Sequence, residues 1–307
     1  MSSGKITLEQ RKASLHYHVQ EYRKRRVIID TDAACEADDP FAIAQALMSK
    51  MLEVKGICAE HFVAEGSMEQ SYEMICRVTE TMGADVPVLR GQTGKMSEHQ
   101  GEPMTEAAQF IIEETMKEDD KPLFVLCIGA VTNVAEAIRA RSEIVDRMTV
   151  VLVCIGGNPI GCEKPGWEFN FGNDVEAANT VLHCGGDIWL IPNNVYGTMH
   201  IGFGEIQRRI APYGEIGRLL YENLISFYET ENASWSAGES WSLGDSPAVG
   251  VTLEPNCGSF MYCKAPEVQE DTSYHYPENS PQIRVYTSIN SRFIIEDFIS
   301  KLQILYG

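Results

Sequence analysis

The sequence predicts an α/β protein with a mainly parallel central sheet flanked by helices. Short apolar runs rich in branched residues alternate with segments of helical composition as far as residue 191. The apolar runs are continuous, as in residues 123–128 and 149–155, which is typical of parallel strands covered on both faces. Because no linker or repeat interrupts the chain, residues 1–307 are predicted to form one domain, with residues 1–26 as an N-terminal helical extension.

The elements follow from composition and from their boundary residues. Pro40 begins the first core helix because its missing N–H suits the first turn, and Gly83 ends the second. The basic run at residues 23–26 is interpreted as the solvated end of a helix before the first strand. The predicted strands are residues 27–30, 54–59, 86–89, 123–128, 149–155 and 187–191. The predicted helices are residues 40–51, 68–83, 105–117, 132–145, 174–183, 216–228, 245–253 and 293–305.

The composition limits the classes of partner. The 44 acidic residues outnumber the 25 basic ones and give a formal net charge of −19, which disfavours binding to nucleic acid or to a membrane surface. No apolar run reaches the roughly 18–20 residues that a bilayer requires. The nine cysteines are scattered without a CxxC pair, and the N-terminus lacks the apolar core of a secretory signal. We therefore expect a cytoplasmic protein with free thiols and a small-molecule substrate.

The segment after the first predicted strand carries a high density of carboxylates. Asp30, Asp32, Glu36, Asp38 and Asp39 fall within ten residues. In open parallel sheets, ligands bind at the carboxyl ends of the strands, where this loop lies. One or two acids can cap the next helix, but five repel one another unless a cation or protons offset their charge. Because hard oxygen ligands select Ca²⁺ or Mg²⁺, the loop predicts a metal site, with a solvated acidic turn as the alternative.

Four ordered segments resemble the nucleoside hydrolases of the inosine-uridine preferring type. The segment VIIDTDAACEADDPFAIAQAL resembles their signature, D-x-D-x-G-x-D-D before a helix, and LFVLCIGAVTNVAEAI resembles their strand, glycine, Thr-Asn and helix segment. VLVCIGGN with WEFNFGNDVEAAN resembles their double glycine and E-F-N-x-x-x-D-x-E-A-A stretch, and LGDSPAVGVTLEP resembles their late H-D-P-x-A segment. These segments cover most of residues 27–255, so the sequence is identified as a divergent member with a nucleoside-hydrolase-like fold.

The resemblance implies calcium-dependent hydrolysis of the N-glycosidic bond of a ribonucleoside, giving ribose and a free base. In the family's terms, Asp32 is both the catalytic base and a calcium ligand. The other implied calcium ligands are Asp39, Asp245 and the backbone carbonyl of Thr132. Since its relatives are homo-oligomers, a homodimer or homotetramer is expected. The implied substrate-binding residues are Asp38, Glu168, Asn170, Asn158, His61 and Trp241.

The acidic loop departs from the family's pattern. Five residues, AACEA, separate Asp32 from Asp38 where the common signature has three, and the glycine is absent. The additional Glu36 is interpreted as reshaping the ribose pocket or supporting the ligands from behind, and Asp30 as supporting the ligands or serving the fold. The hydroxyl of Thr132 is equally consistent with a helix cap.

The second departure is Gly244, which stands before Asp245 where many members have a histidine that protonates the leaving group. Leaving-group activation must then come from His61, from base stacking on Trp235 or Trp241, or from no acid at all. Both tryptophans lie in a segment rich in Ser, Gly, Asn and Glu, which predicts a loop that covers a pocket or contacts another subunit rather than a core position. Asp245 is consistent with a cap alone or with a cap that also binds metal.

Other function classes fit the sequence less well. Phosphotransferases of the haloacid-dehalogenase type also begin with Asp-x-Asp, but they need Thr or Val where Ala34 stands. The segment GQTGKM lacks the glycine spacing of a P-loop, and no GxGxxG follows a strand. Two alternatives stay open: a calcium-stabilised nucleoside or sugar-binding protein without turnover, which Gly244 favours, and a hydrolase of another riboside.

Overall fold

A computed structural model describes residues 6–62, 64–154 and 168–307, with only the backbone at Cys154. The strands are β1 (Arg25–Thr31), β2 (Leu52–Ala59), β3 (Val88–Arg90), β4 (Leu123–Cys127), β5 (Met148–Cys154), β6 (Asp187–Pro192), β7 (His200–Gly202), β8 (Ser240–Ser242), β9 (Gly258–Lys264), β10 (Glu267–Val268), β11 (Tyr274–His275) and β12 (Gln282–Ile289). The helices are α1 (Leu8–Lys12), α2 (Asp39–Met48), α3 (Ser67–Met82), α4 (Glu106–Thr115), α5 (Thr132–Ala140), α6 (Phe169–Asn173), α7 (Val175–Leu182), α8 (Asn193–Tyr196), α9 (Phe203–Arg209), α10 (Gly214–Tyr228), α11 (Ser246–Leu253) and α12 (Ser291–Tyr306).

The central sheet has eight strands in the order β3-β2-β1-β4-β5-β6-β12-β9. Neighbouring strands are parallel except for β12 and β9, which pair antiparallel at one edge. The predicted fold class, a mainly parallel sheet flanked by helices, is confirmed. Because β1, β2, β4, β5 and β6 run in one direction, the loops after them meet at one edge of the sheet.

The two faces of the sheet bury separate cores. Val27 and Ile29 of β1 lie in the core that α2, α3 and α12 cover, whereas Ile28 lies in the core under α4 and α5. Successive residues of a strand point to opposite faces, so a strand that is buried on both sides needs a continuous apolar run. The same reasoning applies to Val125 and Leu126 of β4, one in each core. The continuous runs in the sequence were therefore a reliable signal.

The N-terminal extension is less helical than predicted. Of residues 6–24, only α1 is α-helical, and residues 21–23 form a single 3-10 turn. The segment is held by specific contacts rather than by helix propensity: the backbone N–H of Leu8 donates to the carbonyl of Gly83, and Arg11 donates to the carbonyl of Leu305. Within the described residues, no helix combines the length and the apolarity needed to cross a bilayer.

The sequence predicted that the basic run at residues 23–26 is the solvated end of a helix, and this prediction is wrong. Arg25 and Arg26 belong to β1, and Arg26 is only 3% exposed. Its guanidinium donates to the carbonyl of Glu114 at 2.9 Å, faces the carboxylate of Glu114 at 3.4 Å and donates to the carbonyl of Lys121 at 3.2 Å. These partners lie far away in sequence, so composition alone could not reveal them.

The buried pair makes a testable contribution to stability. Arg26→Met keeps the aliphatic stem but leaves the buried Glu114 without its arginine, so we expect the free energy of unfolding to fall by about 3 kcal/mol in urea denaturation. The matched control is Arg141→Met, which removes the exposed pair with Glu143 and is expected to leave the free energy of unfolding nearly unchanged. Equal effects from the two variants would contradict this account of Arg26.

Candidate active site

Carboxylates from two parts of the chain meet beyond the end of β1. Asp32 follows that strand, Asp38 immediately precedes α2, and Asp39 is the first residue of that helix. Asp245 is the residue immediately before α11. One carboxylate oxygen from each of Asp38, Asp39 and Asp245 lies within 4.8 Å of the other two, and all three side chains are buried. The predicted acidic site is therefore assembled from residues separated by some two hundred positions in the chain.

These carboxylates do not serve as helix caps. Asp38 and Asp245 occupy the N-cap positions of α2 and α11, but neither side chain accepts a capping hydrogen bond. Capping alone therefore does not explain Asp245. The positive ends of two helices face the cluster, which favours negative charge there. The hydroxyl of Thr31 also donates to Asp39 at 2.5 Å and orients that carboxylate.

Burial disfavours the ionised form of every acid in this cluster, and repulsion from neighbouring carboxylates adds to this effect for all of them except Asp38. Burial, with smaller effects from neighbouring carboxylates, raises the pKa of Glu36 to about 8 and that of Asp39 to about 7. Burial alone raises the pKa of Asp38 to about 6, while hydrogen bonds to it act in the opposite direction. The pKa values of Asp32 and Asp245 are raised well above their usual range by burial and by the other acids. In the described part of the chain, no lysine or arginine forms an ion pair with these five residues.

This donor set fits a hard divalent cation. Carboxylate oxygens are the ligands that Ca²⁺ and Mg²⁺ prefer, and a buried group of acids without a basic partner needs a positive charge to be fully ionised. The group of three carboxylates includes Asp38, to which the resemblance assigns a substrate role. Asp32 and Glu36 lie near enough to Asp39 to influence one another's pKa.

Gly129, which follows β4, leaves room for the side chain of Asp32. A Cβ atom on Gly129 would stand 2.6 Å from Oδ1 of Asp32, closer than real contacts allow, so the glycine in LFVLCIGA lets the loop approach this carboxylate. The backbone N–H of Cys35 donates to the carbonyl of Asp32 at 2.7 Å and tightens the acidic loop. Asp32 is therefore held between the ends of two neighbouring strands.

A second polar cluster underlies the first. Asp30, at the end of β1, and Glu60, after β2, are fully buried and hydrogen-bonded to each other through their carboxyl groups. Burial, together with the charge of Asp30, raises the pKa of Glu60 well above its usual range. Asn133 donates its side-chain amide to Asp30 at 2.9 Å and its backbone N–H to Glu60 at 2.8 Å. Burial raises the pKa of Asp30 to about 7. No sequence motif marks Glu60, because its partner is set by the register of β1 and β2.

Thr132 belongs to a hydrogen-bonded chain with His61 and Asp174. Its hydroxyl donates to Oδ2 of Asp174 at 3.0 Å and lies 2.9 Å from Nε2 of His61. Because the hydroxyl hydrogen goes to Asp174, Nε2 of His61 is the donor to Thr132. Burial lowers the pKa of His61 to about 4, so its ring is neutral at pH 7. The Thr132 side chain is not a helix cap, since Val131 holds that position.

Glu168 and Asn170, which the resemblance assigns to sugar binding, both form hydrogen bonds within the protein. Glu168 caps α6 by accepting from the backbone N–H of Asn170 at 3.2 Å and from that of Phe171. Asn170 donates its side-chain amide to the carbonyl of Val153, at the end of β5, at 2.8 Å. These contacts fix α6 against the same edge of the sheet. The predicted contact Asn158 lies outside the described residues.

The ring of Tyr196 fills the space beside Gly244. A Cβ atom at Gly244 would stand 2.9 Å from Cδ2 of Tyr196 and 3.2 Å from Oδ2 of Asp38. A histidine at this position would therefore have to displace the tyrosine ring. Tyr196 ends α8, directly after β6, and sequence reasoning missed it because its position depends on where the chain turns after that strand.

Trp241 lies in the core, contrary to the loop position expected from composition. It belongs to β8, is 1% exposed, and packs against Trp235 with ring centres 4.9 Å apart and against Phe227 at 5.6 Å. Its indole N–H helps to lower the pKa of Asp38. Trp235 is 58% exposed, in agreement with a loop position. The Ser- and Gly-rich composition was misleading because β8 pairs with the short strand β7.

Comparisons with known proteins agree with this geometry. The family model described as inosine-uridine preferring nucleoside hydrolase matches residues 27–295. A pyrimidine-specific ribonucleoside hydrolase, RihA, of Salmonella paratyphi A is 25% identical over 264 residues, which cover 79% of this chain and 80% of the relative. The RihA of Salmonella gallinarum is 23% identical and covers 90% of this chain and 98% of its own.

Solved structures share the fold. A plant nucleoside hydrolase, PpNRh1, superposes with a TM-score of 0.74 at 18% identity and covers 91% of this chain and 99% of its own. A purine-preferring ribonucleoside hydrolase from Gardnerella vaginalis gives a TM-score of 0.75 at 21% identity, with coverage of 92% and 99%.

Because of the buried acids, we expect the metal-free protein to be more stable at acid pH than at neutral pH. Their folded pKa values lie above their unfolded values, so their contribution to stability is present at acid pH and is lost as the pH rises through about 6 to 8. With chelator present, we expect the free energy of unfolding to fall between about pH 5 and 8, and Ca²⁺ at pH 8 to restore it. Asp39→Asn is expected to flatten the profile. A chelated wild-type protein whose stability is constant or rises over this range would contradict the assignment.

Proposed function

The chain belongs to the inosine-uridine preferring nucleoside hydrolase family, and we propose that it hydrolyses the N-glycosidic bond of a ribonucleoside with bound Ca²⁺. The observation that carries the proposal is the buried cluster of Asp38, Asp39 and Asp245, with Asp32 beside it, at the carboxyl edge of the sheet. Carboxylate oxygens are the ligands that Ca²⁺ prefers, and they also accept hydrogen bonds from sugar hydroxyls. The products would be ribose and a free base.

The residues that would hold the calcium ion are Asp32, Asp39, Asp245 and the backbone carbonyl of Thr132. When bound, the ion would polarise a water molecule and offset the charge of the carboxylates. The rest of the chemistry belongs to the chain. Asp38 accepts hydrogen bonds from the sugar, and the burial of the cluster keeps bulk water away from the reacting atoms.

In this proposal Asp32 acts as the general base. Its carboxylate takes a proton from the attacking water while the water oxygen forms a bond to C1′. The C1′–N bond breaks, its electron pair goes to the nitrogen of the base, and the departing base then takes a proton from solvent. Positive charge develops on the sugar in this transition state, and the surrounding carboxylates stabilise it electrostatically. Gly129 and the loop contact of Cys35 hold Asp32 in one place, so little reorganisation accompanies the step.

The leaving base is proposed to depart without an acid at the family's usual position. Gly244 has no proton to give, and Tyr196 occupies the space beside it. The protonated nitrogen of His61 is directed at Thr132, and the ring of Trp241 is packed between Trp235 and Phe227. This arrangement favours substrates whose base leaves readily.

We also propose a cytoplasmic homodimer or homotetramer. The seven cysteines whose side chains the structure describes are free thiols, as expected in a reducing compartment. Self-association is implied by the family resemblance, and sedimentation analysis of the purified protein would test it. Monomers at micromolar concentration would contradict that part of the proposal.

The first functional prediction concerns Asp32. Asp32→Asn removes the base but keeps the shape, so we expect kcat for ribose release from inosine or uridine to fall at least 10³-fold, and chelator to abolish release by the wild type. The matched control is the surface substitution Asp120→Asn, with unchanged release. A wild type that binds Ca²⁺ and nucleoside by calorimetry but releases no sugar would instead support the alternative of a binding protein. A wild type that does not hydrolyse nucleosides but does hydrolyse another riboside would support the alternative of a hydrolase of that riboside.

The second functional prediction concerns the leaving group. If no acid assists departure, a riboside of 4-nitrophenol should be hydrolysed with a kcat/KM at least 100-fold above that of inosine, because its leaving group is a far more stable anion. The measurement is parallel release of nitrophenol and of reducing sugar. Equal kcat/KM values for the two substrates would show that a proton donor is present and would contradict this part of the mechanism.

A further inference from the structure

Asn173 has a buried side chain without a hydrogen-bond partner. It is the last residue of α6 and is 3% exposed. Among the described residues, neither its amide nitrogen nor its amide oxygen has a partner. An amide that is taken out of water without hydrogen bonds is destabilising, so such a side chain in a folded protein needs an explanation.

The neighbours of Asn173 attach this part of the chain to the active site. Asn170, three residues earlier, is bonded to the carbonyl of Val153 at the end of β5. Asp174, the next residue, accepts from the hydroxyl of Thr132 at 3.0 Å. Asn173 therefore lies between two residues that are anchored at the carboxyl edge of the sheet, where the catalytic carboxylates meet.

The helical spacing places the two amides together. Residues three apart in a helix lie on one face, so Asn170 and Asn173 share a side of α6. Phe171 lies in the hydrophobic core under α7, on another side of the same turn. The face that carries the two amides is therefore not the face that packs into this core.

We propose that Asn173 is a further substrate-binding residue, whose amide donates to and accepts from a ribose hydroxyl. The inference rests on the proposed function. A hydroxyl group both donates and accepts, so it can satisfy both orphaned amide atoms, whereas a cation would satisfy only the oxygen. A bound ribose hydroxyl would therefore give both amide atoms the partners that the described residues do not provide.

The experiment compares Asn173→Ala with Asn179→Ala. Asn179 is a matched control, because both of its amide atoms are hydrogen-bonded to the backbone of Val268 at 2.8 Å. Without substrate, Asn173→Ala should leave the urea midpoint unchanged or raised, since it removes an unsatisfied group, whereas Asn179→Ala should lower it. With inosine, kcat/KM should fall about 10- to 100-fold for Asn173→Ala and stay unchanged for Asn179→Ala.

Deoxygenated substrates identify the partner. The 2′-, 3′- and 5′-deoxy analogues of inosine are each assayed with wild type and Asn173→Ala, and the effect of the substitution should vanish for the one analogue that lacks the bound hydroxyl. An equal effect on all three analogues, or none on inosine, would overturn the assignment. So would an Asn173→Ala protein that is unfolded or as destabilised as Asn179→Ala, because the amide would then already have a partner in the free enzyme.

Failure of the proposed function gives a different result. A wild-type protein that neither hydrolyses nor binds inosine, with Ca²⁺ present, would refute the nucleoside hydrolase activity itself. Wild-type turnover with unaltered kinetics in Asn173→Ala would refute only the role of Asn173.

Discussion

The cost of placing several carboxylates together in a buried space governs the architecture of this site. Asp38, Asp39 and Asp245 lie within 4.8 Å of one another, and their pKa values are all raised by burial. Such acids can all be ionised only if positive charge is supplied, and the structure offers the N-terminal ends of α2 and α11 for this purpose rather than a basic side chain. A bound cation would complete the compensation. The hydrogen bond from Thr31 to Asp39 and the close approach of Gly129 to Asp32 hold these acids in place despite their repulsion.

The parallel sheet makes that arrangement possible. Strands that run in one direction bring their following loops to one edge, so Gly129, after β4, lies against Asp32, after β1. In the same way His61, after β2, contacts Thr132, at the start of α5. Asn133 donates to both Asp30 and Glu60 and so connects the ends of β1 and β2 to the start of α5. The rigidity of the candidate site therefore comes from strand ends and polar contacts, while the residues proposed to react lie on the loops.

The sequence was sufficient to predict those features that depend on residues close together in the chain. The continuous apolar strands, the helix start at Pro40 and the density of acids after β1 depend on neighbouring residues, and the fold class was confirmed. The sequence was insufficient where a residue's surroundings come from distant segments. Arg26 is buried because Glu114 lies opposite it, and Trp241 is buried because β8 pairs with β7. Tyr196, Glu60 and Asn173 carried no recognisable motif, since only the three-dimensional structure shows what surrounds them.

The most direct test of the central claim is calorimetric titration of chelator-treated protein with Ca²⁺ at about pH 6.5, in two buffers of different ionisation enthalpy. The account predicts one tightly bound ion and release of protons on binding, because acids with raised pKa values must ionise to bind it. Asp39→Asn should bind the ion more weakly and release fewer protons. The absence of calcium binding, or binding without proton release, would contradict the assignment of this carboxylate cluster as the metal centre.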